Sequence, residues 1–186
     1  FDPAARPQSL LNASDAMGNP GYSRCIVFHS LSKRSNLPGL RSGFVAGDAE
    51  LLSSYLQYRT YHGCALPPHH QLVSTLAWAD EQHVVDNRAL YAQKFDAVST
   101  ILEPHYDLRQ PDGGFYHWLP VPIDDATFCR ELLRRQNVTV MPGSYLARDT
   151  PTGNPGANHV RVAWVAALDD CVEAAKRLAD FARSLG

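Results

Sequence analysis

The sequence predicts an α/β chain in two parts, an α/β segment followed by a small α+β lobe, with one long helix joining them. Three observations predict it. Two short apolar runs, Arg24-Cys25-Ile26-Val27-Phe28-His29 and Phe44-Val45-Ala46-Gly47, bracket a polar loop and read as strands. From about Glu81 to Leu102 the apolar positions Val84, Tyr91, Phe95, Val98 and Leu102 recur at helical spacing. Beyond Pro104 the chain turns to short strands punctuated by glycine and proline. The parts are drawn as residues 1–84 and 85–186, with the long helix as the natural hinge.

Taken in order, residues 1–23 are rich in Pro, Gly, Asn and Ser, and read as loop with one possible short helix at Leu10-Leu11. The strand over 24–29 is expected to be buried. The strand over 43–47 leaves the loop, and Asp48 then caps a helix whose stripe is Leu51, Leu52, Tyr55, Leu56 and the stem of Arg59. Thr60 to Pro68 breaks that helix. Pro67-Pro68 opens the next one, because proline's missing donor is harmless in a first turn, and Leu72, Leu76 and Ala79 follow at helical spacing.

In the second part, Asp112-Gly113-Gly114 precedes a strand over 115–119, a helix is expected from about Asp125 to Gln136, and Val138-Thr139-Val140-Met141 reads as a strand before the turn Pro142-Gly143-Ser144. The last strand is His159 to Val165, with Arg161 on a face with Ala163 and Val165. The last helix is predicted to start at Asp170 and Glu173, with Val172, Ala175, Leu178, Ala182 and Leu185 as its stripe.

Composition removes several classes. With 45% hydrophobic residues, a net charge near −2 and no basic run, the chain is neither disordered nor built to coat nucleic acid. Cys25, Cys64, Cys129 and Cys171 have no zinc spacing and read as reduced, mostly buried thiols, which suggests cytoplasm. No apolar run approaches the roughly 18 residues of a membrane span. The first residue is Phe1, which suggests a piece of a longer protein.

Chemistry concentrates in Ser30-Leu31-Ser32-Lys33-Arg34-Ser35-Asn36-Leu37-Pro38-Gly39-Leu40-Arg41-Ser42-Gly43. Desolvation and a neighbouring cation both lower a lysine's pKa, so Lys33, with Arg34 and Arg41 nearby, suits an amine that attacks a carbonyl. Ser30 and Arg41 together suit a phosphate. A surface loop with two basic side chains and turn-favouring serines accounts for the same residues. Adjacent side chains on a helix point about 100° apart, so His69-His70 is a poor metal pair. Tyr116 and Trp118 read as core.

The run S-L-S-K-R-S-N-L-P-G-L-R-S-G resembles the lysine signature of the class I/II aminotransferases, the fold-type I pyridoxal-phosphate enzymes. The resemblance implies pyridoxal 5'-phosphate as cofactor, Lys33 as the residue that attaches it, Ser30 and Arg41 as its phosphate ligands and Ser32 as a further contact. His159-Val160-Arg161-Val162-Ala163 is similar to the family's closing strand, which implies that Arg161 grips the substrate α-carboxylate. Alone, Arg161 would read as a solvent-facing residue on an edge strand. Gly113-Gly114-Phe115 and Pro142-Gly143-Ser144 also match family turns.

The whole chain resembles the C-terminal half of such an enzyme, the end of the large domain plus the small domain. The aspartate, tyrosine and asparagine partners of the cofactor ring and the glycine-rich phosphate turn are then expected before Phe1. Lys33 to Arg41 and Tyr58-Arg59-Thr60-Tyr61-His62-Gly63 look most like the N-succinyldiaminopimelate aminotransferases of lysine biosynthesis. That likeness implies amino- and keto-acid substrates and a homodimer with shared sites, with Tyr61 and His62 meeting substrate across the interface. A turn residue and a helix-capping histidine serve equally well. A β-eliminating lyase of the same fold, or an aminotransferase-like sensor domain of a transcription regulator, are the alternatives.

Overall fold

The computed structural model describes residues 8–185, so the loop reading of residues 1–7 lies outside the described residues. Two compact units divide in sequence between Arg88 and Ala89.

In the first unit, Ser9 starts α1 (Leu10–Ala16) with a reciprocal cap: its hydroxyl accepts from Asn12 N, and the Asn12 side chain accepts from Ser9 N. Strands β1 (Ile26–Ser30) and β2 (Gly43–Gly47) pair antiparallel, with Ile26 opposite Gly47 and Ser30 opposite Gly43. Alternation puts Phe28 and Val45 on one face, His29 and Phe44 on the other. Phe28 meets Tyr55 of α3 (Ala49–Tyr61) edge-on at 5.7 Å. On the opposite face, Trp78 of α4 (Pro68–Ala79) lies 5.1 Å from Phe44 and 5.5 Å from His29. The expected Asp48 cap forms, accepting from Glu50 N at 2.8 Å and Leu51 N at 3.1 Å, while its other oxygen takes Arg24 N at 2.7 Å. These bonds, that from Arg24 foremost, hold its carboxyl below the usual range.

The strand expected to be buried is not: β1 is half-buried to exposed, and Phe28 is 65% exposed. A two-stranded ribbon leaves both edges open, and one aromatic contact per face covers little of it. The stripes of α3 and α4 likewise face outward, with Leu51, Leu56, Leu72 and Leu76 exposed. Among the described hydrophobic side chains of this unit, only Leu31 and Val84 are fully buried.

The second unit holds the core. Helix α5 (Gln82–Leu102) contributes Phe95, Val98 and Leu102; β3 (Tyr116–Pro120) contributes Leu119, and α6 (Asp125–Gln136) contributes Phe128 and Leu132. Strands β4 (Met141–Pro142) and β5 (His159–Ala163) complete an antiparallel sheet in the order β3-β5-β4, and α7 (Leu168–Arg183) closes it with Ala175, Leu178 and Phe181. Asp124 caps α6 by accepting from Thr127 N at 2.8 Å.

Three expectations shift here. The strand over 138–141 shrinks to Met141–Pro142, the two residues that pair with β5, while Val138 and Val140 pack beside the core. The last strand ends at Ala163, so Val165 lies outside it. Helix α7 begins two residues before Asp170, placing Asp169 and Asp170 in a first turn where the helix dipole favours them, and its buried face is Cys171, Ala175, Leu178, Ala179 and Phe181.

The approach to β5 depends on two glycines. A Cβ on Gly143 would press on Gly156 O and stand 2.8 Å from His159 O and 2.9 Å from Trp118 Cη2. Backbone cannot yield as a flexible side chain does, so Gly143→Ala is expected to cost about 1–3 kcal/mol. A lowered urea midpoint at constant m-value checks this; an unchanged midpoint refutes the close packing.

The cysteines are free thiols, and only Cys171 is buried, fewer than expected; Cys64 is exposed. Burial, aided by Asp125, pushes the Cys129 thiol up to about 11 and keeps it neutral. Among the described residues, no helix is long and apolar enough to cross a membrane.

Candidate active site

The lysine sits on α2 (Leu31–Arg34), a single helical turn directly after β1. Residues three and four apart share a helix face, and here that face is Leu31, Arg34 and Ser35. Leu31 is fully buried; its N–H donates to Ser42 O at 3.1 Å, and its carbonyl accepts from Ser35 N at 3.0 Å and Leu37 N at 3.2 Å. The Arg34 side chain is 8% exposed. Its Nη1 donates to Ser35 Oγ and Ala77 O, both at 3.0 Å, its Nη2 pairs with Glu81, and its Cζ stands 5.0 Å from the Trp78 ring centroid. Ser32 and Lys33 take the opposite side, and Lys33 is exposed.

Arg34 is therefore not the cation beside the Lys33 amine that the sequence suggested. It lies about 100° further round the turn, and its charge is engaged by Glu81. Nor does Lys33 end a buried strand, since it projects from a turn beyond a half-exposed one.

After α2 the chain makes a short 3-10 turn, Pro38–Leu40, and Arg41 follows in the left-handed region at φ 52°. Its Nη1 donates to Pro38 O at 3.0 Å. The pairing of Ser30 with Gly43 returns Arg41 to the end of β1 that carries the lysine turn. Gly43 permits this approach, because a Cβ there would lie 2.5 Å from His29 O. Arg41, Gly43, Arg59 and His70 line an open cleft of about 620 Å³, and Ser30 lines an adjoining one that shares Gly43 and Arg59. A hydroxyl and a planar guanidinium at one end of a ribbon, with no carboxylate among the lining residues, fit a phosphate ester.

Arg59 is a residue that sequence reasoning treated only as an apolar stem. Its Nη1 donates to His62 O at 2.9 Å, and its guanidinium occupies the space that a side chain on Gly63, at φ 91°, would fill. Tyr61 is 81% exposed at the end of α3. His62 caps that helix, its N–H donating to Tyr58 O at 3.1 Å, and its ring stacks on Tyr58 at 4.4 Å.

In the second unit Arg161 lies on β5, the central strand and not an edge, between Trp118 and Met141. Val160 and Val162 face the core, so Arg161 shares the outer face with His159 and Ala163. Its Cζ stands 5.7 Å from the Tyr116 ring, and Trp118 stacks on His159 at 5.7 Å. Tyr116 and Trp118 are thus not core, as expected from sequence, but flank the arginine; His117 and Leu119 take the buried side. The alternation of β3 held that signal, but not which parity faced inward.

Residues 3–181 match the family "Aminotransferase class I and II". An aminotransferase of Neisseria meningitidis Z2491 superposes with a TM-score of 0.93 at 50% identity, covering 98% of this chain and 46% of that one. The 4-dedimethylamino-4-oxo-anhydrotetracycline transaminase of Streptomyces rimosus is 32% identical over 93% of this chain and 46% of its own length. A probable N-succinyldiaminopimelate aminotransferase of Thermus thermophilus superposes with a TM-score of 0.75 at 27% identity, covering 87% and 43%. The chain belongs to the class I and II aminotransferases, a pyridoxal-phosphate-dependent family with the fold-type I architecture. It spans about half the length of these relatives.

Proposed function

We propose that this chain is the lysine-bearing half of an aminotransferase that moves an amino group between an amino-dicarboxylate, N-succinyl-diaminopimelate or a close analogue, and 2-oxoglutarate. The observation that carries the reading is the exposed Lys33 on its anchored turn, which follows Ser30 directly and lies in the loop that the Ser30–Gly43 pair closes just after Arg41. Ser30 and Arg41, with Ser32 as a further contact, would hold the cofactor phosphate, and the Lys33 amine would attach the cofactor. When bound, pyridoxal phosphate supplies the electron sink that makes the substrate Cα proton removable. The Lys33 amine, freed when the substrate's amino group takes its place, would take that proton from Cα and deliver it to the cofactor carbon C4′. Arg161 orients the substrate by its α-carboxylate through two parallel bonds. In a homodimer Tyr61 and His62 would reach the neighbouring site. The diaminopimelate substrate rests on the likeness of the Lys33 to Arg41 and Tyr58 to Gly63 stretches and on the Thermus relative.

The test uses the full-length protein that contains this chain, supplied with glutamate and the succinylated keto acid. Stoichiometric 2-oxoglutarate and new amino acid are expected; ammonia and pyruvate formed from a cysteine thioether in a parallel assay, without amino transfer, would mean a β-lyase, and no turnover of either a sensor domain. In the same assay Arg161→Lys should raise the amino-acid KM by roughly 10- to 100-fold with cofactor retention unchanged, because an ammonium cannot make the paired bonds. Equal loss of cofactor would make Arg161 a structural residue.

A further inference from the structure

We propose that Arg34 is the positioning residue of the lysine turn: its guanidinium clamps α2 to the C-terminal end of α4 and so sets the direction in which Lys33 leaves the fold. The proposal rests on the reading of Lys33 as the cofactor-bearing lysine.

A helix of one turn cannot hold itself by its own hydrogen bonds. Helix α2 has no side-chain cap either, since Ser30 makes none. Its direction is therefore set by whatever grips its inner face. Leu31 grips the first residue as an apolar plug, and Arg34 grips the last, one position after Lys33.

The far side of the clamp is built to receive a guanidinium. Ala77 O belongs to the last turn of α4, where carbonyls lack intrahelical partners, and Arg34 supplies the missing donor at 3.0 Å. A cation there also complements the helix dipole. Glu81 lies just past the helix end and pairs with the other nitrogen, while the face of Trp78 lies 5.0 Å from Cζ. A planar fork satisfies all three at once; a lysine ammonium does not.

The clamp is continuous with the ribbon that carries the candidate phosphate ligands. Trp78 also packs on His29 and Phe44, the residues next to Ser30 and Gly43. Arg34 thus ties Lys33 to the same frame as Ser30 and Arg41, and a lysine displaced by about 1 Å within such a frame loses on the order of 100-fold in reactivity.

The full-length protein, stripped of cofactor, would be compared with Arg34→Gln, Arg34→Lys and Glu81→Gln. On adding pyridoxal phosphate, the near-visible band of the lysine-linked cofactor should grow roughly 10- to 100-fold more slowly in Arg34→Gln. Glu81→Gln should lose least, because Ala77 O and Trp78 remain, with Arg34→Lys in between. Amide exchange in the cofactor-free protein gives a second readout: Leu31, Ser35 and Leu37 should exchange at least about tenfold faster in Arg34→Gln, in the same order of variants, while Leu52 in α3 stays put. A band that grows at the wild-type rate in Arg34→Gln, unchanged exchange over 31–37, or protection lost evenly across residues 8–88 in all three variants would overturn the clamp. If the wild type forms no lysine-linked band, the proposed function fails, and the exchange pattern still decides whether Arg34 holds the turn.

Discussion

Replacement of Lys33 by alanine in the full-length protein is expected to remove the near-visible band of the lysine-linked cofactor and to lower amino transfer by about 10⁴-fold or more, since the attachment point and the Cα proton carrier are lost together. Fold stability should barely respond. Lys33 is exposed on the outer side of α2, and the residues that hold the turn, Leu31, Arg34 and Ser35, are untouched. Surface changes of this kind stay within about 0.5 kcal/mol. Absorbance after borohydride treatment, turnover and a urea midpoint check the three parts. A band that survives both borohydride and the substitution would show that another residue bears the cofactor. Unfolding in step with lost activity would show that Lys33 belongs to the scaffold.

The second large effect is acid weakening of the second unit through His117. This ring is buried in the core; its Nδ1 accepts from Trp164 Nε1 at 2.8 Å, which leaves the proton on Nε2, where no partner is found among the described residues. Phe95 meets it edge-on at 4.8 Å. Burial pulls its pKa from 6.5 down to about 4. The folded state then binds fewer protons than the unfolded one between these values, so stability is full above about 6.5 and falls as pH drops towards 4. The gap corresponds to about 3 kcal/mol at roughly 1.4 kcal/mol per unit.

Other groups act in a lower window. Burial raises the Asp125 carboxyl, but the hydrogen bonds it accepts, those from Ser144 foremost, together outweigh it, and Arg134 and Arg135 hold Glu131 down. Both carboxylates therefore keep their contribution until pH falls through the lowered values. Urea midpoints between pH 8 and 4 should drop in the wild type. They should stay nearly level in the double variant His117→Phe/Trp164→Phe, which removes donor and acceptor together and strands neither. Equal acid slopes in both proteins would place the titration elsewhere.

Much of the candidate site was legible as sequence, because local chemistry writes it locally. The Ser-x-Ser-Lys run, the Pro-Gly turn and the returning Arg41 mark a loop between strands, and the structure closes that loop through the Ser30 to Gly43 pair. Asp48 ahead of a helical stripe and the Val84 to Leu102 spacing were equally plain, since capping and helical period depend on near neighbours. The side that each element buries was not plain. Tyr116 and Trp118 obey the same alternation whether they face in or out, and only the packing of Phe95 and Trp164 on His117 chose. The stripes of α3 and α4 read as core faces, yet Leu56 and Leu72 are exposed because nothing among the described residues covers them.

The opening loop carries the same division. The amino-acid sequence by itself determined that Lys33 stands in a polar loop among hydroxyls and cations, since residue type and spacing are properties of the chain alone. Only the tertiary structure decided that Arg34 turns to the end of α4 while the strand after Arg41 returns to pair Gly43 with Ser30. One helical turn offers two sides, and the carbonyl, carboxylate and aromatic face that select between them lie more than forty residues downstream, at Ala77, Glu81 and Trp78.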